Sequence, residues 1–104
     1  MSENITIKGN EYVLHFNQKL VETIEMSMSG RSLVASIVAN NGVLPMATTR
    51  QIFSLALLDA KDNSVVKQGK ASELFDAAVD ESGYLTVDTQ VVQALQADVP
   101  ALFR

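Results

Sequence analysis

The side chains best able to do chemistry in this sequence are carboxylates, and two of them lie in a short polar segment. The segment reads DAKDNS, from Asp59 to Ser64, and supplies oxygen atoms of the kind that Ca²⁺ binds. A calcium-binding loop places its oxygen donors at alternate positions and a glycine at its sharp bend. Here the first alternate position after Asp59 is Lys61, whose positive charge opposes a cation. We therefore interpret the segment as the turn of a hairpin and predict no metal site.

A second group of acids follows in the last third of the chain. Hydrolysis by carboxylates alone, as in glycosidases, needs two carboxyl groups opposed across a cleft. Acids near turns and helix starts are also favoured by solvation and by the helix dipole, and that interpretation is the simpler one here. If the protein were an enzyme of this kind, its catalytic residues would come from Asp76, Asp80, Glu81 and Asp88.

Other catalytic patterns are missing from the sequence. His15 is the single histidine and the chain has no cysteine, so the usual zinc ligand sets cannot be assembled. No serine lies in a G-x-S-x-G motif, and no glycine-rich phosphate loop is present. The sequence therefore predicts a protein that is not an enzyme and needs no cofactor.

Composition and charge limit the partners. A chain of 104 residues, 47% hydrophobic and 19% charged, is typical of one folded domain spanning 1–104. The net charge of −4 comes entirely from the second half, and no cluster of Lys and Arg offers a positive surface. We therefore expect no binding to nucleic acid or to an anionic membrane. The polar start MSENITIKGN does not resemble a secretory signal, so we expect a cytoplasmic protein or one incorporated into a virion.

Alternation of apolar and polar residues predicts strands along most of the chain. Ile5 and Ile7, followed by a turn at Gly9-Asn10 and then by Tyr12, Leu14 and Phe16, predict a first hairpin. Further strands are predicted within residues 20–28, 31–39, 51–59 and 65–70, separated by the turn sequences Ser29-Gly30 and Asn40-Asn41-Gly42.

The last third of the chain contains patterns typical of helices and patterns typical of strands. Residues 71–82 fit either a short helix or an irregular strand. The segment YLTVD, residues 84–88, predicts a strand, after which Asp88 would cap a helix over about residues 89–97. The sequence thus predicts a mainly β fold: an antiparallel sandwich or barrel of about seven strands with one short C-terminal helix.

The order of these segments resembles that of small β-sandwich modules in phage and prophage tails and baseplates. The likeness is carried by the opening ITIKGNEYVLHF, by FSLALLDAKDNSVVKQG, and by GYLTVDTQVVQAL followed by DVPALFR. The resemblance implies a non-enzymatic building block that contacts copies of itself or other virion proteins.

Two functions remain open from the sequence. The first is an assembly module, a homo-oligomer or a partner of other assembly proteins, whose interface would use the apolar residues Val99, Leu102, Phe103, Leu44 and Met46. The second is a small-ligand carrier with a cavity lined by Met26, Met28, Phe53 and Phe75.

Overall fold

The computed structural model describes residues 4–104 and begins with the predicted hairpin. β1 (Asn4–Ile7) pairs antiparallel with β2 (Asn10–Leu14). The turn is Lys8-Gly9, with φ of 50° and 78°, one residue earlier than the predicted Gly9-Asn10. Positive φ at both central residues is the geometry of a type I′ turn, which matches the twist of the strands it joins.

The sheet has three strands in the order β1-β2-β3, where β3 (Leu57–Asp59) pairs antiparallel with β2. One face of the sheet is buried under the helices and the other faces solvent, as is common for antiparallel sheets. The buried face carries Ile5, Ile7, Tyr12, Leu14 and Leu57.

Helices form most of the remaining chain. They are α1 (Gln18–Ser27), α2 (Leu33–Ala39), α3 (Met46–Ala56), α4 (Gln68–Ser82) and α5 (Tyr84–Asp98), followed by a 3₁₀ turn at Pro100–Phe103. Because 61% of the described residues are helical, the predicted mainly β fold of about seven strands is wrong. The β-sandwich implied by the phage resemblance is wrong for the same reason.

α1 shows why the alternation of apolar and polar residues led to a wrong prediction of a strand within residues 20–28. Leu20, Ile24 and Met28 are four residues apart, so they share one side of a strand and also one side of a helix. Met26 distinguishes the two, because a strand would place it beside Ile24 and Met28 on the buried face. In the structure Met26 is 79% exposed while Ile24 is fully buried. The side chain of Asn17 accepts a hydrogen bond from the N–H of Leu20 and begins the helix.

The turn residues between the predicted strands are helix ends. The N–H of Gly30 donates to the carbonyl of Glu25, and the N–H of Gly42 donates to the carbonyl of Ile37, each at 2.8 Å. Both glycines have positive φ, and this bond is the one that closes a Schellman motif. Helix ends and tight hairpins need the same backbone conformation, so these residues do not distinguish one from the other.

The segment QIFSLALLD, predicted as a central strand, is the end of α3 followed by β3. It is apolar at odd and even positions because α3 is covered on more than one side: Ile52, Phe53 and Ala56 are all buried. The predicted return strand at 65–70 is reduced to one bridge between Leu58 and Val65 before α4 begins.

The ambiguous segment 71–82 is helical throughout as part of α4. The predicted strand YLTVD forms the first turns of α5, which therefore starts at Tyr84 and contains the predicted helix 89–97. Asp88 lies inside α5 and is not its N-cap. Gly83, with φ of 88°, separates α4 from α5.

The core joins α3 to α4 through two aromatic rings. Phe53 and Phe75 are fully buried, with ring centroids 5.4 Å apart at an interplanar angle of 69°. Arg50 covers the outer side of this pair, its guanidinium carbon 4.8 Å from the centre of the Phe75 ring. The same guanidinium donates to Ser72 and to Asp76, so α3 and α4 are also joined by polar contacts.

Candidate functional site

The acidic turn at Asp59–Ser64 uses its carboxylates for its own backbone. Asp59 Oδ1 accepts the N–H of Lys61 at 2.9 Å, and Asp62 Oδ1 accepts the N–H of Ser64 at 3.0 Å. The hydrogen bonds from Ser64 hold the pKa of Asp62 below its ordinary value. Across residues 4–104, no group of three or more His, Asp or Glu side chains is arranged to hold a metal ion.

His15 lies just beyond β2, and its side chain is exposed. Its Nδ1 atom is 3.7 Å from Oδ2 of Asp98 at the end of α5. The same oxygen accepts the N–H of Phe16 at 2.9 Å. Asp98 thus joins the end of β2 to the end of α5, and the imidazole lies on the outer side of this junction.

The four acids of the hypothetical carboxylate site do not face one another across a cleft. Asp76 and Asp80 are exposed on α4, where Asp76 pairs with Arg50 at 2.5 Å. That hydrogen bond holds the pKa of Asp76 below its ordinary value. Glu81 accepts the N–H of Lys8 at 3.1 Å, and Asp88 is buried on α5. The opposed pair needed for carboxylate catalysis is not formed by these residues.

Asp88 has a different role, in a buried polar cluster that holds the α2–α3 connection. Its Oδ1 atom accepts the N–H of Leu44 and the hydroxyl of Thr49, each at 3.2 Å. The Tyr84 hydroxyl lies 2.8 Å from Oγ1 of Thr49 and donates to the carbonyl of Leu44. Burial raises the pKa of Tyr84 above its ordinary value. Both backbone groups of Leu44 are therefore bound by α5.

The chain segment that this cluster holds carries no charged residue. No charged residue occurs from Ser32 to Thr49, a segment that includes α2, the α2–α3 connection and the start of α3. Three of its large hydrophobic side chains are exposed: Val38 (68%), Val43 (44%) and Met46 (46%). We call these three residues the α2–α3 surface. The cluster fixes the backbone between Val43 and Met46, because it binds both backbone groups of Leu44.

The predicted interface residues are found in different environments. Leu44 and Val99 are buried in the core, at 2% and 4% exposure. Leu102 and Phe103 are half-buried in the C-terminal 3₁₀ turn and pack against the same core. Met46 is exposed and belongs to the α2–α3 surface. Met46 thus shares an exposed, uncharged segment with Val38 and Val43, whereas Leu102 and Phe103 pack against the core.

Val38 and Val43 were missed by the sequence prediction. The strand predicted within residues 31–39 gives Val38 no role at the surface. One signal in the sequence could have identified this surface: the uncharged stretch covers α2 and also the connection after it. A buried strand would explain the absence of charge within the strand, but not in the connection that follows.

The residues proposed for a ligand cavity do not face a common space. Phe53 and Phe75 touch each other in the core, whereas Met26 is exposed at the end of α1 and Met28 is only partly buried. No observation on these side chains favours the carrier function.

Within the described part of the chain, no helix combines the length and the apolar character needed to cross a membrane. Comparison with known proteins finds no family model, no curated protein and no solved structure that matches this chain.

Proposed function

We propose that this protein is a non-enzymatic assembly module that binds another protein through the α2–α3 surface. The observation that carries the proposal is the uncharged segment from Ser32 to Thr49, which exposes Val38, Val43 and Met46 and whose connection at Leu44 is held by a buried polar cluster. Desolvating these side chains favours association, and the segment itself carries no charge that would have to be removed from water.

The biological setting that we propose is a phage or prophage particle, with the protein made in the cytoplasm and working on or within the virion. This part rests on the resemblance of the sequence segments to tail and baseplate modules. It keeps the assembly role implied by that resemblance and abandons the β-sandwich.

The experiment is a binding test against the products of the genes adjacent to this one, each purified and titrated by calorimetry. A product that binds wild type should bind the double variant Val38→Lys/Met46→Lys at least about tenfold more weakly, because each lysine places a charge in an apolar interface. Val65→Lys is the control, since Val65 is more exposed than Val38 and Met46 but lies in the β3–α4 connection. The proposal fails if no neighbouring product binds, or if the double variant binds as tightly as the control.

A further inference from the structure

α4 and α5 are joined by a single residue. Each helix is 15 residues long, and only Gly83 lies between Ser82 and Tyr84. Gly83 has φ of 88° and ψ of 151°, a backbone conformation that is essentially restricted to glycine. The bend from one helix into the next therefore depends on this one residue having no side chain.

Helical hydrogen bonds reach Gly83 from both sides of the bend. The N–H of Gly83 donates to the carbonyl of Val79 at 2.8 Å, and the carbonyl of Gly83 accepts the N–H of Val87 at 3.3 Å. Both bonds join residues four apart, as in an α-helix. A change of backbone conformation at Gly83 alone would therefore join α4 and α5 into one continuous helix.

The two helix ends at this bend are weakly stabilised. The last turn of α4 carries Asp80 and Glu81 and no basic residue, so its charges oppose the helix dipole. α5 begins without a side-chain cap and without an acidic residue in its first turn. Its first N–H groups, those of Tyr84, Leu85 and Thr86, have no acceptor within α5. In a continuous helix they would bind the last carbonyls of α4.

The contacts that hold α5 on the rest of the protein can be made equally well by α5 of another copy. α5 buries apolar side chains in the common core. Asp88 accepts the N–H of Leu44, and Asp98 accepts the N–H of Phe16. Leu44 and Phe16 both precede α4 in the chain, so neither bond requires the bend at Gly83. The site that receives a second copy is thus the site that the chain's own α5 occupies.

We propose that Gly83 is the hinge of a segment exchange between two copies of this chain. In the exchanged form α4 and α5 are one helix, and residues 84–104 of each copy pack on residues 4–82 of the other. The buried contacts of α5 away from the bend are kept, and its first N–H groups gain acceptors. Glycine favours the bent form in two ways, because it adopts the φ of 88° and because it disfavours the interior of a helix. The inference goes beyond the proposed function, since the exchange needs no partner at the α2–α3 surface.

Gly83→Ala tests the hinge by sedimentation after refolding from urea. Alanine is strained in the bent form and favoured in the continuous helix, so each hinge should favour exchange by at least about tenfold. With two hinges in the dimer, the dimer Kd should fall by about a hundredfold or more. The melting temperature of the variant checks that it is folded.

Two further variants separate exchange from a general effect of the substitution. Gly42→Ala is the matched control, because it also places alanine at a positive φ, of 85°, but α2 is not followed directly by another helix. It should keep the mass of wild type. The other variant carries Gly83→Ala and two glycines inserted directly before Tyr84. The chain can bend again there, so this variant should return to the mass of wild type.

Refolding of wild type gives a measurement that does not depend on variants. Refolded at about 1 mM, wild type should yield some dimer that persists on dilution, because α5 leaves its partner only when the core opens. The proposal is overturned if Gly83→Ala refolds as a monomer, or if the variant with inserted glycines dimerises equally. If Gly83→Ala does not fold, wild type that refolds only as a monomer overturns it. Gly83→Ala combined with Val38→Lys/Met46→Lys should still exchange, which separates failure of this proposal from failure of the proposed function.

Discussion

The Oδ1 atom of Asp88 in α5 lies 3.2 Å from the backbone nitrogen of Leu44, which is 44 residues earlier in the chain. Leu44 stands between α2 and α3, in a connection that has no regular backbone pairing of its own. Because a buried carboxylate holds this connection, the exposed side chains on either side of it, Val43 and Met46, are presented in one defined arrangement.

Replacing Asp88 by alanine should lower the free energy of unfolding by about 1–3 kcal/mol, because the N–H of Leu44 and the hydroxyl of Thr49 lose their acceptor in a buried site. Asp88→Asn keeps one acceptor oxygen, so it should lower the free energy of unfolding by less than Asp88→Ala does. Urea unfolding measures both, with Asp80→Asn on the exposed side of α4 as the control. An alanine variant as stable as the control would show that the cluster does not stabilise the fold.

Tyr84 should make stability sensitive to alkaline pH. Burial raises the pKa of its hydroxyl in the folded state above the ordinary value of 10.0. The folded state therefore favours the protonated phenol. Its contribution is fully present below pH 10.0 and is lost as pH rises through the higher pKa of the folded state. Tyr84→Phe should cost about 1 kcal/mol at neutral pH, through the lost hydrogen bond to Leu44.

The measurement is the free energy of unfolding of wild type and Tyr84→Phe, compared at neutral pH and above pH 10.0. The difference between the two proteins should shrink at high pH, because only wild type loses the contribution of this hydroxyl. A constant difference across that range would contradict the prediction.

Arg50→Lys should destabilise the contact between α3 and α4 by about 1 kcal/mol, although the charge is kept. A lysine cannot donate from two nitrogens to Ser72 and Asp76 while its charge lies over the Phe75 ring. Asp76→Asn should have a smaller effect, since that carboxylate is largely exposed and its ion pair is screened by solvent. Thermal unfolding of both variants measures the two losses of stability. A larger loss for Asp76→Asn than for Arg50→Lys would refute the prediction.

Two glycine-to-alanine substitutions should change the stability of the fold in opposite directions. Gly42 has φ of 85°, so Gly42→Ala should destabilise by about 1 kcal/mol through backbone strain. Gly69 lies in α4 without positive φ, and its added methyl group would meet nothing within 4 Å. Gly69→Ala should therefore stabilise by about 0.5–1 kcal/mol through helix propensity. Melting temperatures that shift in the same direction for both variants would contradict this explanation of the α2 end.

The sequence predicted local features better than the fold. The first hairpin was identified because Ile5, Ile7, Tyr12 and Leu14 alternate and no helix spacing fits them. The segment around Leu20 fits a strand because residues four apart satisfy both periods, and the segment around Leu33 fits one because its residues are β-branched and small. In the first segment only the exposure of Met26 separates helix from strand, and exposure depends on tertiary contacts that no local pattern contains.

Most of the candidate site could not be predicted from the sequence. Met46 is among the predicted interface residues, but the backbone of Leu44, two residues earlier, is bound by Asp88 and Tyr84, which lie 44 and 40 residues away in the chain. Asp88 was predicted as a helix cap because an acid before an apolar stripe is common at such positions. Its actual role depends on the packing of α5 against α3, which the sequence alone does not specify.

The position of β2 in the middle of the sheet has a consequence during synthesis. Its partner β3 follows more than 40 residues later in the chain. At about 5–20 residues per second, the ribosome needs a few seconds to deliver it. For that interval the nascent hairpin has two open edges, and neighbouring chains on one polysome are the strands most available to pair with them. Translation rate and ribosome spacing would then influence how much of this protein reaches its native state.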